Sequence, residues 1–160
     1  MKKSIYIFAI VSLFFLSGIR AAGAEEEYLS EEIVSYTEEI GEQYGICPEL
    51  IQAVIERESS GDPEAKNGTC IGLMQINKKY HVDRMEKLGV TDLYDTFSNI
   101  LTGTDYLAEL FEKYEDPYLV LMVYNMGARK AISRYEAGKY SKYAVTICER
   151  SAELERLHGK

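Results

Sequence analysis

Tryptophan is missing from this 160-residue chain, and histidine occurs only twice, at His81 and His158. Two histidines so far apart make no ligand-spaced pair, so no metal and no cofactor are expected. No Gly-x-Ser-x-Gly elbow occurs, which argues against nucleophilic serine chemistry. Basic residues are also in short supply. Eighteen Lys and Arg face 26 Asp and Glu, a formal net charge of −8. That balance disfavours nucleic acid as a partner. No repeat and no low-complexity tract is visible, and no segment alternates convincingly as a strand does. Only one long apolar run exists, and it lies at the start.

That run, Ile5 to Leu16, follows Lys2 and Lys3 and precedes Ala22-Gly23-Ala24. A charged start, a short apolar centre and a small-x-small site describe a secretory signal peptide, residues 1–24. Even extended to Ile19, the run is shorter than the ~20 residues of a spanning helix. No cysteine near the cleavage site suggests a lipid anchor. After cleavage, no integral membrane segment is expected, and residues 25–160 are expected to form one domain. Cleavage removes three cations and no acids, so the mature part is more acidic still.

Three cysteines follow: Cys47, Cys70 and Cys148. An exported chain can hold one disulfide and leave one thiol over. Cys47 opens one helix and Cys148 lies on the last. A Cys47–Cys148 bridge is one expectation; three buried thiols acting as small apolar residues is the other. The 13 tyrosines suit a wet site for a polar ligand such as sugar, and they suit a core equally well.

The stretch Leu50 to Gln75, LIQAVIERESSGDPEAKNGTCIGLMQ, is the informative one. Leu50, Ile51, Val54 and Ile55 mark one helix face, and Glu58 continues it while Glu56 and Arg57 point elsewhere. Ser59, Ser60 and Gly61 can end the helix, and Asp62-Pro63 turns the chain away. A carboxylate on an apolar face is costly when ionised, so burial raises its pKa. Such a group can be a general acid. A half-exposed acid whose stem packs on the core would show the same spacing.

Further helices flank it. Ser30 can cap a first one, with Ile33, Tyr36, Thr37, Ile40 and Tyr44 on one face and Gly45 at its end. Pro48 suits the first position of the helix that ends in Glu58. Tyr80 to Leu88 predicts a short helix. Phe97, Ile100, Leu101, Leu107, Leu110, Phe111 and Tyr114 describe a long one. Asp116-Pro117 starts an apolar, central helix ending in Tyr124-Asn125-Met126-Gly127. Another passes through Ile132 and Tyr135 to Gly138. Ser141 caps the last, with Tyr143, Ala144, Ile147, Leu154 and Leu157 on its stripe. The tail, Glu155 to Lys160, is expected to fray. The reading is a compact, mainly α domain.

Glu58-Ser59, Asp62-Pro63, Gly72-Leu73-Met74-Gln75, Tyr124-Asn125-Met126-Gly127 and Tyr143, in this order and at these spacings, resemble the soluble lytic transglycosylase (SLT) family of the lysozyme-like superfamily. The resemblance covers Leu29 to Leu154. It implies a mainly α, α+β lysozyme-like fold with a substrate cleft. It implies cleavage of the β-1,4 bond between N-acetylmuramic acid and N-acetylglucosamine in peptidoglycan, by an exported, wall-associated and monomeric enzyme. Glu58 would protonate the glycosidic oxygen, then take the proton of the muramyl C6 hydroxyl, giving a 1,6-anhydro product. Ordinary glycosidases place a second carboxylate nearby. None has a clear signature here: Glu56 cannot share the face of Glu58, and Asp62 and Glu64 lie on a loop.

By the same resemblance, Tyr124 and Tyr143 would hydrogen-bond Glu58 or the substrate's acetyl group. Gln75 would orient the sugar or the carboxyl group. Asn125 would hold the loop around Gly127 or donate to substrate, and Asn67 would contact Glu58. Read without the family, the two tyrosines are core packing, Gln75 a cap and Gly127 a helix stop. Gly72 and Gly127 are expected as backbone requirements. Two positions depart from the pattern: Gly61, often aromatic in relatives, and Cys70, often alanine. Two other functions fit the same residues, a muramidase of the same fold and a non-catalytic wall-binding or scaffold protein. Wall remodelling, assembly of a secretion or conjugation apparatus, and phage-like entry are all compatible with the cut.

Overall fold

The helix boundaries follow from local chemistry. A computed structural model describes residues 29–160; the expected signal peptide lies outside the described residues. Helix α1 spans Glu31–Tyr44, capped by Ser30, whose side chain accepts from the Ile33 amide, and closed by Gly45 at φ 66°. Helix α2, Pro48–Ser59, starts on its proline and ends at Ser60 in the left-handed region. Three two-residue strands follow: β1 Lys66–Asn67, β2 Cys70–Ile71 and β3 Ile76–Asn77. Then come α3 (Val82–Leu88), α4 (Thr96–Tyr114), α5 (Pro117–Met126), α6 (Ala128–Glu136) and α7 (Lys142–Leu157). Asp95, Asp116 and Ser141 cap α4, α5 and α7 through side-chain oxygens. Each such cap contributes about 1 kcal/mol.

The core gathers around two helices. In α5, Val120, Leu121, Met122 and Val123 are all buried. In α2, every residue from Glu49 to Ile55 is buried. A helix segment buried on all sides belongs at the centre. Accordingly, α2 packs on α7 and α1, and α5 packs on α4, α6 and α7. Each fully buried aliphatic side chain there contributes about 1.5–3 kcal/mol. Gln52 is polar and buried, and it is satisfied: its amide donates to Thr37 Oγ1 at 2.9 Å, and Thr37 donates to the Val34 carbonyl at 2.7 Å.

Three expectations need correction. A small antiparallel sheet, in order β1-β2-β3, stands where no strand pattern was visible. Its register pairs Lys66 with Ile71, and Ile71 with Ile76. Two-residue strands are too short to show alternation. The tail does not fray. Helix α7 runs to Leu157, and His158 Nδ1 and Lys160 Nζ lie 2.8 and 2.6 Å from Glu49 Oε1, whose side chain is 1% exposed. The cysteines also differ from both readings: all three are free, Cys47 is exposed, and Cys70 and Cys148 are half-buried. Cys47 instead donates to Glu49 Oε2 at 3.1 Å.

Candidate active site

Glu58 occupies the last turn of α2, where the core stripe of that helix reaches a cleft of about 1000 Å³. Its carboxyl is half-buried. Burial pushes its pKa up; the hydroxyl of Tyr143 and the charge of Arg57 pull the other way. The net direction is up, toward a group that keeps its proton at higher pH than a free glutamate. Tyr143, from the second position of α7, donates to Glu58 Oε1 at 2.5 Å. No second protein hydrogen bond to this carboxyl occurs among the described residues. Burial pushes the Tyr143 phenol well above its ordinary range, and the Glu58 charge adds to this, so it stays a donor.

The loop from Ile71 to Gln75 brings Gln75 to the same cleft. Its shape is set by Asn99, a buried residue of α4. Asn99 Oδ1 accepts from the Met74 amide at 2.8 Å. Its Nδ2 donates to the carbonyls of Ile71 at 2.8 Å and Leu93 at 2.7 Å. One amide side chain thus satisfies three buried backbone groups, where leaving any one unpaired costs about 1–3 kcal/mol. Gly72 makes the approach possible. It sits at φ 73°, and a Cβ there would lie 2.3 Å from Asn99 Nδ2. Gly103, one turn after Asn99, opens room for the fully buried Met74. A glycine inside a helical pattern, as Gly103 is, can mark close packing on that face. That glycine is visible in the sequence.

Of the six site residues expected from sequence, Glu58, Asn67, Gln75, Tyr124 and Asn125 line the cleft. Tyr143 is not part of the lining; it reaches the site through Glu58. The contacts of Tyr124, Gln75 and Asn67 differ from the expected ones. Tyr124 donates to the Met74 carbonyl at 2.9 Å, not to Glu58. Burial first, then the Glu58 charge, holds its phenol well above the ordinary range. Gln75 donates to the carbonyls of Ala65 at 3.1 Å and Gly72 at 2.9 Å, and so braces the loop. It does this at φ 49°, a left-handed conformation costly for a residue with a side chain. Asn67 and Asn125 are exposed on the cleft, and no hydrogen bond joins Asn67 to Glu58.

Beyond Tyr124 the cleft continues into groups that the sequence reading did not single out. The Tyr106 ring lies 5.3 Å from that of Tyr124 and 4.6 Å from that of His81. The Arg84 guanidinium stands over Tyr106 and pairs with Asp105 and Glu109. The carboxylates lining the cleft, among the described residues, are Glu58, Asp83 and Glu109, and Arg84 engages the last of these. Glu56 is turned away from the cleft and paired with Arg150 of α7 at 2.7 Å. Cys70 lines the cleft, its thiol pushed up by burial and by the Glu58 charge. Among the described residues no three His, Cys, Asp or Glu side chains converge as a metal site.

The family model described as the transglycosylase SLT domain matches residues 35–145, which include Glu58, the whole cleft loop and Tyr143. The chain belongs to the transglycosylase SLT domain family. Curated relatives agree. The chain is 36% identical over 90 residues to a transglycosylase of Enterobacteria phage PRD1, covering 56% of this chain and 32% of that protein. It is 38% identical over 98 residues to membrane-bound lytic murein transglycosylase F of Desulfosudis oleivorans, covering 56% of this chain and 21% of that one. It is 32% identical over 126 residues to membrane-bound lytic murein transglycosylase C of Salmonella arizonae, covering 69% and 35%. The chain thus spans about a third or less of the length of these relatives. An inactive mutant of lytic transglycosylase Slt from Pseudomonas aeruginosa superposes with a TM-score of 0.70 at 16% identity, over 78% of this chain and 24% of that one. That likeness establishes the lysozyme-like fold of this SLT domain.

Proposed function

We propose that this SLT domain is a peptidoglycan lytic transglycosylase. It cleaves the β-1,4 bond between N-acetylmuramic acid and N-acetylglucosamine and leaves a 1,6-anhydromuramyl end. The observation that carries the reading is the state of Glu58. It is a half-buried carboxyl on the cleft, with its pKa raised by burial and one oxygen held by Tyr143. In this reading the protonated Glu58 donates to the glycosidic oxygen as the bond to the anomeric carbon breaks. The substrate's own N-acetyl group assists that departure. The carboxylate so formed then takes the proton of the C6 hydroxyl, whose oxygen closes on the anomeric carbon. One residue serves as acid and then base, and a pKa near the operating pH suits both roles.

The other residues take supporting roles. Tyr143 orients the carboxyl. Tyr124 and Gln75 fix the Gly72–Gln75 loop. Asn67 and Asn125 present free amides to the sugar. A hydrolase would need a carboxylate placed to activate water. Of the other two cleft carboxylates among the described residues, Glu109 is engaged by Arg84, so a hydrolase would have to use Asp83 of α3. The relatives named as membrane-bound murein transglycosylases support action at the cell wall. With the apolar start of the chain, this supports the reading of residues 1–24 as an export signal and residues 25–160 as the secreted domain. No helix among the described residues is long and apolar enough to cross a membrane. Service to a secretion or conjugation apparatus, as a monomer, is compatible with this. The test is the reducing end: borohydride should label few of the new ends released from peptidoglycan, because an anhydro end has no free aldehyde. Stoichiometric labelling would identify a muramidase.

A further inference from the structure

Tyr80 is 78% exposed, the most exposed of the large apolar side chains among the described residues, and it lines the same cleft as Glu58. Its backbone is not loose. The Tyr80 amide donates to the Asn77 carbonyl at 2.9 Å, and the Lys79 amide donates to Asn77 Oδ1 at 3.1 Å. Asn77 is itself paired with Cys70 in the sheet. The turn after β3 therefore holds the base of this side chain firmly, while its ring packs on no other ring among the described residues. Tyr106 and Tyr124, which line the same cleft, are half-buried and lie tilted against one another with ring centroids 5.3 Å apart.

A ring fixed at its base and bare on its faces forgoes burial that would otherwise stabilise the fold. Its surroundings indicate what covers it. The cleft that it lines also carries the carboxamides of Asn67, Asn77 and Asn125, beside the charged Asp83, Arg84 and Lys87. Carboxamides both donate and accept, as sugar hydroxyls and acetamido groups require. A pyranose ring offers a flat C–H face to an aromatic ring and polar groups around its edge. The cleft, at about 1000 Å³, is at the upper end of the range for a drug-sized ligand and has room for more than the two sugars that flank the cut.

We propose that Tyr80 is a stacking platform for an outer N-acetylated sugar of the glycan strand, away from the scissile bond, and that it makes the cleft prefer long strands. The identity of the ligand rests on the transglycosylase reading; the platform itself rests on the placement of the ring.

The probe is the hexamer of β-1,4-linked N-acetylglucosamine, with the dimer beside it, titrated calorimetrically into Glu58→Gln protein so that nothing is cleaved. Tyr80→Ala in that background should weaken hexamer binding about tenfold, and the advantage of hexamer over dimer should shrink with it. Tyr80→Phe and Tyr80→Trp should retain hexamer affinity, because the ring and not the hydroxyl is used. Unchanged hexamer affinity in Tyr80→Ala overturns the proposal, as does absence of hexamer binding by both proteins. The two readings fail separately. If hexamer binding depends on Tyr80 but the wild type forms no anhydro product, the platform stands and the transglycosylase reading falls. If anhydro product forms and Tyr80 is indifferent, the reverse holds.

Discussion

Tyr143 and Glu58 are 85 positions apart in sequence and 2.5 Å apart in space. The contact ties the first turn of α7 to the last turn of α2, the helix pair with the most extensive packing in the molecule. An O–H donor to a carboxylate at this distance is a strong, charge-assisted hydrogen bond. It favours the ionised form of Glu58, while burial favours the neutral one. The site thus holds two opposed influences on one proton, and burial prevails.

Tyr143→Phe removes the first influence and should raise the pKa of Glu58. The acid step needs the protonated carboxyl, so activity is lost as pH rises through that pKa. The basic limb of the kcat/KM profile should therefore move to higher pH in the variant. The loss of orientation should lower kcat roughly tenfold. A pH–rate profile of both proteins on soluble glycan strands checks both effects; an unmoved limb would separate Tyr143 from the proton of Glu58.

Glu58→Gln should stabilise the fold at neutral pH. A carboxyl whose folded pKa lies above its unfolded one holds its proton more tightly in the folded state. Stability then falls as pH rises from the unfolded value through the folded one. The amide has no such penalty. Thermal melts should show a higher Tm for the variant at pH 7 and no gain at pH 3.

Glu49 should behave in the opposite sense. It is 1% exposed yet hydrogen-bonded by Lys160, His158 and Cys47, and these partners offset the cost of burial and lower its pKa to about 2. The stability it contributes is complete above the unfolded value of about 4.3 and is lost as pH falls through about 2. Glu49→Gln should cost about 3 kcal/mol near pH 6 and almost nothing near pH 2. Urea titrations at both values measure the difference.

Asn99→Ala should leave the Met74 amide and the carbonyls of Ile71 and Leu93 unpaired in the interior. A loss of about 3 kcal/mol or more follows. Asn99→Asp does not repair it, because a carboxylate cannot donate to two carbonyls. Gly72→Ala should act on the same contact from the other side, by strain at φ 73° and by collision with Asn99 Nδ2. Equilibrium unfolding that found either variant as stable as the wild type would contradict this account of the loop.

The parts legible in the sequence are those settled by neighbours along the chain. Ser30, Asp116 and Ser141 bond to amides three residues on, so the starts of their helices could be placed almost to the residue. The Glu58 position followed from helical spacing, and the family motifs pointed to the residues that meet in the cleft. What could not be read depends on partners far away in the chain. Asn99 looks like an ordinary helix residue until Met74 is brought to it. Lys160 looks like a frayed end until Glu49 is found beneath it. Gln75 and Tyr124 were expected near the carboxyl or the sugar, yet their hydrogen bonds go to backbone carbonyls of the loop. Tyr80, outside every motif, is conspicuous only once its exposure and the cleft are seen together.

The central claim concerns one carboxyl and one product. It is tested most directly by mass spectrometry of the muropeptides released from purified peptidoglycan, with wild type beside Glu58→Gln. The account predicts wild-type products one water lighter than hydrolysis products, and none from the variant. Products of full hydrolytic mass, or release that persists in Glu58→Gln, would contradict it.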